Sequence, residues 1–278
     1  MPHDIGYVEN DGTLAHYKML ATIRDFAADN GWSVLRYETA PANRELILKG
    51  AGYTEEEEIF VGFRTYQNEG ADYYNLLAAA FTGYVPGNTF DTQPGVRLSG
   101  IPAHNNRIDY WLTLNPQRIA LAMKVGTPVY ESAYVGKCLP YGRPSQFPYP
   151  IVCAGMLAGA AATRFSDTSH SMPWKGNRTN MALRTNAAWV NPYCYPWNND
   201  VLAGTSQLRD TGGIYHPLPV ELNDNSGNLW GALDGIVYIS GFNNAVENTF
   251  SLDGFEHVII QDVGRTSFQD YFALRLDN

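Results

Sequence analysis

The sequence predicts an α+β protein, in which an N-terminal helix packs on a mostly antiparallel sheet and a loop-rich β insertion fills the second half. Three observations carry this expectation. A single stretch, residues 11–31, repeats apolar side chains at helical spacing. Short alternating runs bounded by turn residues crowd the rest of the first half and return at the end. Between residues 151 and 233 the texture shifts to Gly-Ala runs, isolated tryptophans and many Asn, Ser and Thr. The expected organisation is a helix-plus-sheet core over 1–150, an irregular loop-rich insertion over 151–233, and C-terminal strands over 234–278 that return to the core sheet.

Residues 1–12 are polar and read as an arm. Asp11 or Thr13 is expected to cap the helix, whose apolar face is Leu14, Tyr17, Leu20, Ile23 and Phe26 or Ala27, and Asn30-Gly31 supplies the stop. Strands follow at 32–37, 45–49 and 59–67. Residues 73–81 (YYNLLAAAF) suit helix or strand, because Leu and Ala favour a helix while the flanks resemble strand ends. Residues 84–106 read as a long Gly-, Pro- and Asn-rich loop that serves a contact. The clearest hairpin joins 107–114 (RIDYWLTL) to 118–125 (RIALAMKV) through Asn115-Pro116-Gln117. It feeds Pro128–Pro150, which holds Tyr130, Tyr134, Tyr141 and Tyr149 among five prolines. Proline removes a backbone donor, so the second part of this track is excluded from helix or central strand. Later strands are expected at 181–190, 229–233, 235–240, 256–262 and 271–276.

Charged residues make up only 17% of the chain while tyrosines number 18, a balance that leans towards assembly surfaces. A net charge of −9 argues against a nucleic-acid surface spanning the molecule, and Lys175, Arg178 and Arg184 read as a solvated face. Cys138, Cys153 and Cys194 are odd in number and lack metal-ligand spacing, which predicts reduced thiols in a chain made in a cytoplasm. The start has no basic-then-apolar leader, and the longest apolar run, 151–162, is too short to span a bilayer, so the expectation is a soluble protein without signal peptide.

Chemistry finds little footing. The six histidines show no HExxH, and there is no nucleophile elbow, Walker loop or dinucleotide fingerprint. A Cys138–His104 dyad would need a proximity that spacing does not supply. The turn at 223–227 lacks the acidic residue that a calcium loop requires at its end. Neither a metal nor a cofactor is expected. Residues 189–199 (WVNPYCYPWNN) suit stacking on sugar rings or a protein hot spot.

The succession EIFVGFRTYQNEGADYYN, WLTLNPQRIALAMKV, YESAYVGKCLPYGRPSQFPYP and YFALRLD resembles structural proteins of tailed-bacteriophage virions, over roughly residues 13–155 and 256–277. The resemblance implies a non-enzymatic virion component that builds a symmetric ring in the neck or collar, tail or baseplate, sixfold or a multiple of it. Its partners would be its own copies and other virion proteins, with no specific nucleic-acid or membrane contact. Candidate subunit contacts are Tyr130, Tyr134, Tyr141, Arg143, Phe147 and Tyr149. The alternative is a host-receptor or glycan-binding module using Trp189, Tyr193, Tyr195 and Trp197, followed by a polysaccharide-degrading tail enzyme.

Overall fold

Nearly every apolar run in the chain becomes a strand. The computed structural model describes residues 2–126, 128–141, 150–175, 178–185, 188–197, 217–224 and 226–277. In chain order its elements begin with β1 (His3–Glu9), α1 (Ala15–Asp29), β2 (Ser33–Glu38), β3 (Glu45–Gly50), β4 (Ile59–Asn68) and β5 (Tyr73–Phe81). Next come β6 (Arg97–Ala103), β7 (Arg107–Asn115), β8 (Arg118–Gly126), β9 (Val129–Lys137), β10 (Leu139–Pro140), β11 (Ile151–Ala154) and β12 (Leu157–Ala158). They end with β13 (Met181–Arg184), β14 (Trp189–Val190), β15 (Tyr193–Tyr195), β16 (Leu218–Asn223), β17 (Leu229–Tyr238), β18 (Thr249–Leu252), β19 (Phe255–Gln261) and β20 (Tyr271–Leu276).

These strands form three antiparallel sheets. The first runs β1-β7-β8-β9-β11-β13-β14 and the second β12-β6-β5-β4-β3-β2. The third runs β15-β16-β17-β20-β19-β18, with β10 beside β17. The expected α+β class is therefore overturned: the described chain is mostly β, in three sheets, with one α-helix. The physical reason lies in strands buried on both faces. They read as continuous apolar or Ala-rich runs instead of alternating ones, so β5 has the look of a helix in the sequence. All residues from Asn75 to Phe81 are buried.

Several local expectations also change. The N-terminal arm is β1, paired with β7 from His3↔Thr113 to Glu9↔Arg107. The stretch 84–106 contains a short 3-10 turn and β6. The first part of the Tyr-Pro track is β9, a central strand between β8 and β11. Residues 151–233 supply strands to all three sheets, and β18–β20 join β17 in the third sheet.

Helix α1 buries Ala15, His16, Met19, Leu20, Ile23 and Ala27. It touches β1 and β7 of the first sheet and β2 to β5 of the second, so it plugs the seam between two sheets and does not form a layer on one. Its N-terminus is tied by Ala15 N–H donating to Asn105 O at 3.0 Å, with no side-chain cap. Asp11, one expected cap, instead pairs with Lys18 at 2.6 Å. At the far end Gly31 takes a left-handed φ of +89°, which lets Trp32 N–H close on Ala27 O at 3.0 Å.

The first and second sheets face one another, β9 and β11 lying against β5 and β6. Small residues allow the approach. A Cβ at Gly155 would stand 2.8 Å from Ser99 Oγ, closer than side-chain packing tolerates. Leu76, Ala78, Ile101, Leu112, Ala120, Ala133 and Val152 fill one continuous core, each large side chain contributing about 1.5–3 kcal/mol by leaving water.

Candidate functional site

Most of the groups that could do chemistry are sealed. Asn115 shows how the sequence builds the first sealed cluster. Its side-chain oxygen accepts from the Gln117 and Arg118 N–H groups, closing the β7–β8 turn, while its amide donates to Asp234 Oδ2 at 2.5 Å. The turn delivers Arg118, fully buried, to Thr113 Oγ1 at 2.6 Å and to the Asp277 carboxylate. Arg275 donates to Asp234 Oδ1 at 2.8 Å and Asp277 Oδ1 at 2.5 Å. Two guanidiniums thus balance two carboxylates between the first and third sheets. Such a cluster fixes how the sheets meet, because removing one partner strands a buried charge.

A second cluster gathers on β9. Glu131 is fully buried, and both its oxygens lie 3.0 Å from His170 Nε2. Burial pushes the Glu131 carboxyl up to about 7, against the pull of His170. Burial opposes protonation of His170, yet the hydrogen bond and charge of Glu131 hold its pKa above the usual value. Nearby, Asp262 accepts from Met172 N–H at 2.7 Å and from Lys175 Nζ at 3.1 Å, and Lys175 also meets Asp270. An imidazole–carboxylate pair has the composition of a general acid–base couple, but catalysis requires reach to a substrate. Here side-chain exposure is 4% for His170 and 0% for Glu131, so the pair straps the 159–175 segment onto β9.

Of the other histidines, those among the described residues are occupied by structure, and His216 lies outside the described residues. His16 Nε2 meets Gln67 Oε1 at 2.7 Å, His3 Nδ1 lies 2.9 Å from Asp277 O, and His257 stacks on Phe250. His104 Nδ1 accepts from Asn106 N–H, and among the described residues no hydrogen bond joins it to Cys138. Burial pushes the Cys138 and Cys153 thiols up to about 12, far from nucleophilic use. Among the described residues no group of three or more His, Cys, Asp or Glu is placed to hold a metal. No helix among them is long and apolar enough to cross a membrane.

The candidate contact residues separate sharply. Tyr134 is fully buried, its hydroxyl donating to Lys137 O at 2.7 Å, and Tyr130 is 2% exposed with its hydroxyl on Glu247. Both belong to this chain's own core. Tyr141 is 45% exposed and donates to Glu221 Oε1 at 2.7 Å. Arg143, Phe147 and Tyr149 lie outside the described residues. Leu139, two residues before Tyr141, is also exposed, as is Leu229 at the start of the neighbouring β17.

The aromatic set 189–197 divides as well. Trp197 is buried edge-on against Tyr238, with Nε1 donating to Gln269 O at 2.8 Å. Tyr193 and Tyr195 sit half-buried on β15 of the third sheet. Trp189 is elsewhere, on β14 at the edge of the first sheet, in the wall of a surface cleft of about 390 Å³. The same cleft is lined by Arg97 on β6, Thr179, Asn180 and Asn191. No spacing signals Arg97 and Asn180 here: the approach of β6 in the second sheet brings Arg97 to Trp189, and the pairing of β13 with β14 brings Asn180, which directly precedes β13.

In comparisons with known proteins, no protein-family model matches the chain, and no curated protein matches it.

Proposed function

We propose that the chain is a non-enzymatic structural subunit of a tailed-bacteriophage virion that closes with its own copies into a symmetric ring, sixfold or a multiple of it, in the neck or collar, tail or baseplate. The ring would assemble in the host cytoplasm and remain in the virion, in contact with other virion proteins. The observation that carries this reading is the contrast between sealed chemistry and outward apolar side chains. Glu131, His170, Arg118 and the three thiols are buried, whereas Leu139, Tyr141 and Leu229 are 43%, 45% and 57% exposed where the Tyr-Pro track leaves β10. Exposed aromatic and aliphatic anchors of this kind lie at the centre of protein interfaces, and a ring needs them on every copy. The resemblance of the quoted segments to virion structural proteins supports the same reading.

Light scattering after size exclusion, at micromolar protein, tests it. The expected mass is that of a closed ring, and Tyr141→Ala combined with Leu139→Ser lowers it towards one subunit while the melting temperature stays near that of the parent. A parent chain that remains monomeric across the concentration range overturns the proposal.

A further inference from the structure

Beyond assembly, we propose that the cleft at Trp189 binds an acidic sugar, a pyranose carrying a carboxylate. The cleft's volume of about 390 Å³ lies within the range of roughly 300–1,000 Å³ that holds small ligands. Trp189 is anchored from one side, because its Nε1 donates to Gly95 O at 2.8 Å and so sets the ring as a rigid wall. A fixed indole face offers apolar surface to the C–H face of a sugar at low entropic cost.

The charge of the cleft runs against that of the chain. The Arg97 guanidinium lies 5.8 Å from the Trp189 ring centroid, and Arg97 is exposed and donates to Val96 O at 3.3 Å. Arg184 pairs directly opposite Trp189 in the β13–β14 ladder, so it leaves the sheet on the same face. Among the described residues, neither arginine has a carboxylate within ion-pair distance. Arg97 lines the cleft and Arg184 stands beside it in the ladder, outside the lining, so in a chain of net charge −9 the cleft wall carries a cation. The planar fork of arginine matches a carboxylate, which specifies the acidic group. A cation–π pair by itself explains why Arg97 lies over Trp189, but not the cleft beside them.

The polar wall completes the match to a hydroxylated ligand. Asn180 Nδ2 donates to Met156 O and Asn191 Nδ2 to Met181 O, each at 2.6 Å, so both amides are held in fixed orientation at the rim. A nucleic-acid strand would demand a continuous basic track, which the acidic chain lacks.

Saturation-transfer NMR on the full chain tests this with methyl glucuronide, methyl glucoside as the neutral control, and inorganic phosphate as competitor. Saturable glucuronide binding is expected, with glucoside about tenfold weaker, the factor worth ~1.4 kcal/mol. Phosphate at equal concentration leaves the glucuronide signal unchanged. Arg97→Gln abolishes the preference for glucuronide, and Trp189→Ala abolishes binding of both sugars. Arg97 is exposed, so its variant remains informative if Trp189→Ala fails to fold. The proposal is overturned by absence of saturable glucuronide binding, by equal binding of the two sugars, by displacement with phosphate, or by an unchanged preference in Arg97→Gln.

Discussion

His170 Nε2 stands 3.0 Å from both carboxylate oxygens of Glu131, and this buried pair ties the segment before β13 to the central strand β9. Its consequences are measurable through pH. Burial raises Glu131 to about 7, and His170 stands above its ordinary value because Glu131 outweighs its own burial. Both shifts have one sign: the folded chain binds more protons than the unfolded chain. The Glu131 contribution is complete below the ordinary carboxylate range and is lost as pH rises through about 7, and that of His170 is lost above the ordinary imidazole range. The stability advantage of the parent over Glu131→Gln should therefore shrink by roughly 2 kcal/mol between about pH 5 and about pH 8. Urea denaturation at several pH values checks this; an advantage that grows with pH contradicts it.

His16 behaves in the opposite sense. Burial lowers it to about 4, against the hydrogen bond that its Nε2 donates to Gln67 Oε1, so it is carried neutral in the fold. The unfolded chain then binds the extra proton below about pH 6.5, and stability is lost as pH falls from there towards 4, by up to about 3 kcal/mol. His16→Gln should flatten this acid limb. An acid limb that keeps its slope in the variant would place the loss elsewhere.

Arg118→Ala should cost about 3–5 kcal/mol, because Asp234 and Asp277 would remain buried with Arg275 alone to balance them. The loss should be nearly independent of salt, since the group is fully buried. Chemical denaturation at low and high ionic strength measures both. A loss below about 1 kcal/mol would show that the cluster does not hold the sheets together.

Thiol labelling gives a simple readout of core integrity. Cys138, Cys153 and Cys194 are buried thiols outside any disulfide, so a thiol reagent should leave all three unmodified in the native chain and modify all three in denaturant. Rapid native modification of any one would mean that its surroundings open readily.

The readable parts of the fold were those whose signals are local. The hairpin of β7 and β8 was legible from alternation on either side of Asn115-Pro116-Gln117, and its register, Asn115↔Arg118 to Asp109↔Lys124, is the one a tight turn imposes. Strands β4 and β20 were legible from their aliphatic and aromatic runs. By contrast β1, with Asp4, Gly6 and Glu9 in seven residues, has the composition of an arm and becomes a strand because β7 pairs with it. Strand β5 is rich in alanine because the facing sheets approach closely there, and tertiary packing overrode its helical propensity. Of the site residues, Trp189 was legible by type, but Trp197 of the same motif turned inward. The partners Glu131–His170 and Arg118–Asp277 are far apart in sequence, and their pairing follows from topology alone.

The pairing of β1 with β7 also sets a schedule. His3 finds its ladder partner at Thr113, so the first strand has no place to lie until α1, the whole β2–β6 meander and then β7 have been made. Non-local pairings of this span slow folding, because the chain loses loop entropy before the contacts compensate. On the ribosome the backbone of β1 therefore stays unpaired while more than a hundred residues are added before its partners Asp109 and Trp111 exist, and Ile5 and Tyr7 stay exposed even after pairing. Pairing with β7 secures this edge of the sheet, while the opposite edge waits for β13 and β14.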